Sequence, residues 1–384
     1  MTEPLTLGFD AKRAVANVTG LGNYSRSVLR SLGRRFPEHR YVLYAPRIRR
    51  DADMTFLDGT PTVELASAPS GLTSGIGAAL WRTFRLGRRA AGSGVSLFHG
   101  LSQELPRDLP REIPAVVTQA DVLYLRYPEL FPTIDRAFYR WKYRWSCDRA
   151  DRIVAISEQT KRDLQEFYGI EGERVRVVYP GCEPRFAVRL DAERIAAVRR
   201  RYGLPDEYLL SVGTIEERKN ALVILQALAT MPPAERPFVA LVGRPTAYRR
   251  VLDDFARRHG LTARMRILHP VPPDDLPALY QGARLFIYPS RFEGFGLPIL
   301  EGLRSGVPVV TSTGSCFAEA GGRAARYVSP DEPAAVAEAI RAVLGDRDLA
   351  RAMIAEGHRH AATFDDDTLA ERLMDVYTET LCAT

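Results

Sequence analysis

The sequence predicts an α/β protein built as two doubly wound domains, each a mostly parallel sheet flanked by helices. Three observations carry this. Short, continuous runs rich in Val, Ile, Leu and Tyr recur along the chain, as expected of strands buried on both faces of a parallel sheet. Helix-like segments alternate with these runs, which implies βαβ units. The pattern then restarts near residue 208, after a polar, arginine-rich segment at 185–206. At 384 residues the chain is too long for one ordinary core and suits two.

Taken in order, the runs of the first half are LTLGF (5–9), RYVLYA (40–45), VELASA (63–68), VSLFHG (95–100), AVVTQA (115–120), RIVAIS (152–157) and VRVVYP (175–180). The second half carries YLLSVGT (208–214), FVALVG (238–243), MRILHPV (265–271), LFIYPS (285–290), VPVVTS (307–312) and ARYVS (325–329). The chain ends on an acidic break and an amphipathic helix, DDDTLAERLMDVYTETL (365–381). In such folds a ligand sits in the crevice outside the carboxyl ends of the strands.

Composition narrows the class. Hydrophobic content of 46% with 26% charged residues describes a globular chain, neither disordered nor fibrous. No apolar run approaches the roughly 20 residues that span a bilayer. The start, MTEPLTLGFD, lacks the basic and apolar stretches of a signal peptide, so a cytoplasmic location is expected. The 4 cysteines and 6 histidines are scattered, with no CxxC pair, which argues against a zinc site or a disulfide framework. A net charge of +6 suggests an anionic partner. No nucleic-acid motif accompanies that charge, so phosphorylated small molecules and an anionic membrane surface are the candidates.

Three stretches carry candidate chemistry. NVTGLGNYSRSVLRSL (17–32) follows the first strand, and Gly20 and Gly22 would let backbone N–H groups approach an anion. A structural turn is the plain alternative for this GxG. SVGTIEERKN (211–220) places Arg218 and Lys219 beyond a strand end, where two cations suit a diphosphate, although a solvated surface pair would look the same. RFEGFGLPILEG (291–302) sets Glu293 and Glu301 around a glycine-rich turn. Pro298 fits the first turn of a helix, Gly306 its C-terminal cap, and Leu297, Leu300 and Leu303 would face the sheet.

The segment LFIYPSRFEGFGLPILEGLRSGVPVVTS (285–312), with VGTIEERKN, RIVAISEQTKRDL (152–164) and VRVVYPGCEPRF (175–186), closely resembles the signature of retaining GT-B glycosyltransferases of the family-4 type, which includes bacterial mannosyltransferases. The matches run in the family's order over nearly the whole chain. The resemblance implies the GT-B fold, two Rossmann-like domains facing across a cleft, with an acceptor domain at 1–186 plus 366–384 and a nucleotide-sugar domain at 187–365. It also implies that Glu293 holds the donor sugar's hydroxyls and Glu301 the ribose diol. Arg218 and Lys219 would clamp the diphosphate, and the backbone at Gly294, Phe295, Gly296 and Leu297 would meet phosphate or sugar. Many members carry arginine where this chain has Thr214, which shifts weight onto the Arg218–Lys219 pair. Val271, in HPVPPDDL (269–276), is the candidate for backbone contact with the base.

In AVVTQADVLYLRYPEL (115–130) the family's histidine falls on Ala120, while Asp121 is kept. The retaining reaction can proceed by a front-side route in which the leaving phosphate takes the acceptor proton. Asp121 could then assist electrostatically, or His99 could replace the lost imidazole. On the acceptor side, GIGAALWRTFRLGRRAAG (75–92) sets Ile76, Leu80 and Phe84 on one helical side with Arg82, Arg85, Arg88 and Arg89 roughly opposite. The segment IDRAFYRWKYRWSCDRADR (134–152) mixes aromatic and basic residues. Basic, aromatic-rich amphipathic helices suit an anionic membrane, whereas packed helices with arginine-rich outer faces are the plain alternative.

The leading expectation is therefore a retaining, metal-independent hexosyltransferase that needs no cofactor. Its donor would be a nucleotide-sugar, GDP-mannose ahead of a UDP-sugar. Its acceptor would be a glycan or lipid-linked glycan of a surface polysaccharide, met by a peripheral protein on the inner membrane face. The alternatives are a nucleotide-sugar epimerase or hydrolase of the same fold, or a catalytically impaired sugar-binding homologue. A metal-dependent transferase of the other common fold would want a DxD motif, and the clearest candidate, DAD at 51–53, has arginines before it and no strand context.

Overall fold

Every apolar run read from the sequence contains a strand. The structure is a computed structural model that describes residues 3–16, 20–48, 54–60 and 62–383, so the DAD at 51–53 lies outside the described residues. The strands of the first half are β1 (Thr6–Asp10), β2 (Arg40–Ala45), β3 (Val63–Ser67), β4 (Leu97–Gly100), β5 (Ala115–Gln119), β6 (Arg152–Ala155) and β7 (Val175–Val177). Those of the second are β8 (Leu209–Val212), β9 (Val239–Val242), β10 (Met265–Leu268), β11 (Leu285–Tyr288), β12 (Val309–Ser312) and β13 (Ala325–Val328). Several runs stop short of their apolar ends for local reasons. β10 halts before Pro270, which has no N–H for the ladder. β6 halts because Ser157 becomes a helix cap, its hydroxyl accepting from the Thr160 N–H.

The strands form two sheets, ordered β3-β2-β1-β4-β5-β6-β7 and β10-β9-β8-β11-β12-β13. All pairings within them are parallel. Strand order reverses between β1 and β4 in one sheet and between β8 and β11 in the other. Loops leaving neighbouring strands diverge at such a switch point and open a crevice at their carboxyl ends.

The chain divides into two compact units, Met1–Gly181 with Asp366–Thr384, and Cys182–Asp365. The last helix, Asp366–Cys382, belongs to the first unit because its apolar side completes that core: Leu369, Leu373 and Tyr377 pack with Leu7, Phe9, Val28 and Leu32. Arg30 pins its first turn through a largely buried ion pair to Asp366 at 2.8 Å.

The arginine-rich stretch 185–206 contains the helix Ala192–Arg201 and belongs to the second unit, which begins close to the expected boundary at 187. Asp191 caps that helix, and Arg194, Arg201 and Tyr202 converge on the buried carboxylate of Asp275, which demands partners. Gly20 and Gly22 lie in the helix Gly20–Arg35, and 17–19 lie outside the described residues. Finally, 75–92 is two helices, Gly75–Phe84 and Leu86–Ala91, broken at Arg85. There Ile76, Leu80 and Phe84 point outward while Arg82 is buried, because Trp81 and Leu86 take the core positions.

Candidate donor site in the second unit

Ionisable groups cluster at the carboxyl ends of β8 and β11, beside the switch point. Beyond β8 the chain makes a tight turn, Glu217–Lys219, and ends it at Asn220, whose φ of 57° is left-handed. The buried Asn220 amide donates to the carbonyls of Pro289 and Pro330, which locks this turn against the loop leaving β11. Arg218 and Lys219 are thereby carried to Glu293. That loop re-enters a helix, Leu297–Arg304, through Gly296 at φ 104°, a conformation only glycine adopts without strain. The helix closes at Gly306, φ 72°, where the Gly306 and Val307 N–H groups donate to the carbonyls of Leu303 and Gly302. Leu300 and Leu303 are buried as expected. Ile299 takes the inward place predicted for Leu297, which is half-buried in the first turn.

Four donors converge on one oxygen of Glu293. Its Oε1 accepts from Lys219 Nζ and Ser290 Oγ, both at 2.6 Å, from Arg218 Nη1 at 2.8 Å and from the Tyr288 hydroxyl at 2.9 Å. Burial by itself would raise the pKa of this carboxyl, but Lys219 and Arg218 outweigh it and hold the group at about 2. Lys219 feels the reverse: burial lowers its pKa and Glu293 opposes that fall. Lys219 Nζ also donates to the Tyr288 hydroxyl at 2.7 Å, and Arg218 binds Glu216 at 2.8 Å. The cations and the acid are thus one cluster.

Glu301 sits one turn into the same helix in different surroundings. Its carboxyl accepts from the Tyr280 hydroxyl at 2.8 Å. Burial raises its pKa to about 7; the Tyr280 bond works against that rise and the nearby Glu183 adds to it. Two carboxyls on one turn are therefore poised oppositely, Glu293 as a fixed anion and Glu301 as a group that titrates near neutrality.

The turn after β12 orients the loop between them. Ser315, at φ 48°, places its hydroxyl against the Glu293 backbone N and O, and the Cys316 thiol donates to the carbonyls of Glu293 and Phe295 at 3.2 and 2.9 Å. The Phe295 ring packs inward against Phe364, so at 294–297 the backbone, with Gly294 and Gly296 lacking side chains, is what the loop can offer a ligand. Thr214 and Val271 follow β8 and β10 on the same sheet edge, outside the Glu293 cluster. Sequence reasoning missed Tyr280, Tyr288, Ser290, Ser315 and Cys316. Only Ser290 and Tyr288 carried a signal, as polar ends of an apolar run.

In the first unit, Asp121 turns the chain into the short helix Leu123–Arg126 by accepting from the Leu123 N–H, while Gln103 donates to its carbonyl. Ala120 is buried and its carbonyl accepts from the Thr160 hydroxyl. His99 does not replace the missing imidazole. It is fully buried in β4, with Nδ1 at 2.6 Å from the Tyr377 hydroxyl and Nε2 at 2.8 Å from Thr118 Oγ1, so both ring nitrogens are occupied. Unforeseen was a buried charge group at the end of β1, where Arg82 binds Asp10 and Glu104, and Lys142 binds Glu104 at 2.7 Å.

Comparison with solved structures identifies the architecture. The chain superposes on the Anabaena HepE protein in complex with UDP-glucose with a TM-score of 0.74 at 19% identity, covering 97% of this chain and 99% of that one. It superposes on WaaG, a glycosyltransferase involved in lipopolysaccharide biosynthesis, with a TM-score of 0.72 at 19% identity, covering 96% and 99%. The fold is that of the GT-B glycosyltransferases. A profile described as Glycosyltransferase Family 4 matches residues 18–186, and one described as Glycosyl transferases group 1 matches 196–360. Among sequence relatives, O-antigen chain mannosyltransferase B of Escherichia coli is 30% identical over 73% of this chain and 74% of its own length. A D-inositol 3-phosphate glycosyltransferase of Thermobispora bispora is 38% identical over 61% of this chain and 57% of its own. The chain belongs to the family-4 glycosyltransferases, and it is a glycosyltransferase with mannosyltransferase relatives. Among the described residues no helix is long and apolar enough to cross a membrane.

Proposed function

We propose that the protein transfers a hexose, mannose foremost, from a nucleotide-diphosphate sugar to a growing, lipid-linked surface glycan, with retention at the anomeric carbon and without a metal. The observation that carries this reading is the junction of Arg218, Lys219 and Glu293 beside Glu301. It offers cations for a diphosphate, a fixed carboxylate for sugar hydroxyls and a second carboxyl for a ribose diol on one strand–helix turn. All four donors to Glu293 fall on Oε1, which leaves Oε2 to accept from a sugar hydroxyl.

In this reading the C1–O bond to the diphosphate breaks and its electron pair passes to the β-phosphate. Arg218 and Lys219 stabilise that developing charge as preorganised cations. The acceptor hydroxyl bonds to C1 on the face the phosphate leaves, and its proton passes to the departing phosphate oxygen. Glu293 keeps Lys219 charged despite burial and steadies the cationic sugar. Backbone N–H groups of Gly294 and Gly296 and the helix N-terminus support the phosphate. The relative named as an O-antigen chain mannosyltransferase supports mannose, with GDP-mannose the donor proposed first, while the neighbour solved with UDP-glucose keeps a UDP-sugar as the second donor.

The test is a metal-free screen of GDP-, UDP- and ADP-sugars by calorimetry and slow donor hydrolysis. Binding and hydrolysis of one donor, GDP-mannose first, supports the reading; binding of none overturns it.

A further inference from the structure

Unit 1 carries a second chemically distinctive region, along the helix Thr133–Arg149. A cleft of about 850 Å³ runs beside this helix, within the range of small-ligand sites, and is lined by Arg107, Arg136, Arg140, Arg144, Trp141 and Trp145 among others. Its one lining carboxylate, Asp148, is already paired with Arg144 at 2.8 Å. Arg107, Arg136 and Arg140 have no ion pair among the described residues, so the cleft holds surplus positive charge.

Two of these guanidiniums are also incompletely bonded. Arg107 Nη2 and Arg136 Nε are buried nitrogens without a hydrogen-bond partner among the described residues. A buried donor left unmet is destabilising, and an anionic acceptor would relieve it. Arg107 is also fixed in place. Its charge lies 3.8 Å from the Trp141 ring centre and 4.7 Å from that of Trp145, and its backbone N–H donates to Thr83 at the end of the helix Gly75–Phe84.

Beside the arginines the surface is apolar without cover. Ile134, Phe138 and Trp141 recur at i, i+4 and i+7 on the helix, with Ile134 83% exposed. The helix whose Thr83 carbonyl accepts from Arg107 carries its own outward stripe, Ile76, Leu80 and Phe84, with Ile76 80% exposed. Exposed aliphatic side chains of this size on a single-unit surface signal an apolar partner. Juxtaposed with a cationic, indole-walled cleft, they match the two layers of a bilayer surface, phosphate above and acyl chain below.

We infer that this cleft is a lipid-phosphate site: a headgroup phosphate of an anionic bilayer seats against Arg107, Arg136 and Arg140 while Ile134, Phe138 and Trp141 enter the acyl boundary. The inference builds on the lipid-linked acceptor proposed above and gives it a place to dock, but its test does not depend on transfer. A nucleic acid would meet the arginines and leave Ile76 and Ile134 in water. A second copy of this chain would bring like charge to like.

The experiment is flotation of the whole protein with phosphatidylglycerol vesicles and, separately, with phosphatidylcholine vesicles, at low and high salt. The expected result is binding to the first that falls with salt, and weak binding to the second. R136Q/R140Q, at a half-buried and an exposed side chain, should lower the partition coefficient about tenfold, as should I134S/F138S, with melting temperature and nucleotide affinity unchanged. Calorimetry with nucleotide on the same samples separates failure here from failure of the transferase reading. Equal binding to both vesicle types, or wild-type binding by R136Q/R140Q, overturns the phosphate assignment. So does a lipid-free dimer, seen by light scattering, that I134S/F138S dissociates.

Discussion

Lys219 Nζ lies 2.6 Å from Glu293 Oε1, so the cation assigned to the diphosphate and the acid assigned to the sugar are a single electrostatic unit. Glu293→Gln keeps the shape and removes the charge, leaving Lys219 and Arg218 partly buried without their shared counterion. Breaking a buried pair in this way costs roughly 3 kcal/mol, and losing a preorganised charge at the reacting centre costs about 10³ in kcat. A nucleotide diphosphate would supply the missing negative charge. It should therefore raise the melting temperature of Glu293→Gln more than that of the wild type, as thermal unfolding with and without GDP or UDP will show. Equal shifts would separate the diphosphate from this pair.

Glu301 provides a pH test with a definite sign. Its pKa is raised from 4.5 unfolded to about 7 in the fold, so the native state binds the proton more tightly than the unfolded one. That contribution to stability is complete below pH 4.5 and is lost as pH rises through about 7. A ribose diol donating to the carboxylate favours the opposite, charged form. Nucleotide affinity should thus increase as pH rises through about 7, with proton release on binding that varies with buffer in calorimetry. Glu301→Gln should flatten both profiles. An unchanged pH dependence in that variant would remove Glu301 from the ribose.

Arg82 reports on the other unit. Its guanidinium is buried between Asp10 and Glu104, and Arg82→Met would leave two carboxylates without their central cation. The expected loss is roughly 3–5 kcal/mol in urea unfolding of the first unit. Nucleotide affinity should stay at the wild-type value, because Arg218, Lys219, Glu293 and Glu301, proposed to hold the donor, lie in Cys182–Asp365. A parallel loss of nucleotide affinity would contradict that separation.

The sheet elements were legible because a strand buried on both faces needs an unbroken apolar run, and nothing else in this chain produces so many. The Glu293–Glu301 turn was legible for a similar reason: its glycines, proline and acids are consecutive. What periodicity does not encode is which side of a helix faces inward. Ile76, Leu80 and Phe84 were correctly placed on one side, yet the core took Trp81 and Arg82, since buried Asp10 required a cation. Gly20 and Gly22 read as backbone donors at the entry to a helix, and the described chain is helical from Gly20. Tyr280 and Cys316 reach the site from 21 residues before Glu301 and 23 after Glu293, separations at which a single sequence gives no pairing signal.

His99 separates a structural histidine from a catalytic one. Burial lowers its pKa from 6.5 to about 3, so the fold holds the neutral ring between Tyr377 and Thr118. The sign is opposite to that of Glu301. This contribution to stability is fully present above pH 6.5 and is lost as pH falls from 6.5 through about 3. Over that window one histidine contributes up to ~1.4 kcal/mol of destabilisation per pH unit. His99→Gln should therefore lower stability at neutral pH and reduce the slope of stability against pH in acid, as denaturant titrations at several pH values will measure. The transfer rate should keep its wild-type pH profile, because the ring touches Tyr377 and Thr118 and has no nitrogen left for substrate. Loss of one limb of that profile in His99→Gln would return His99 to the reaction.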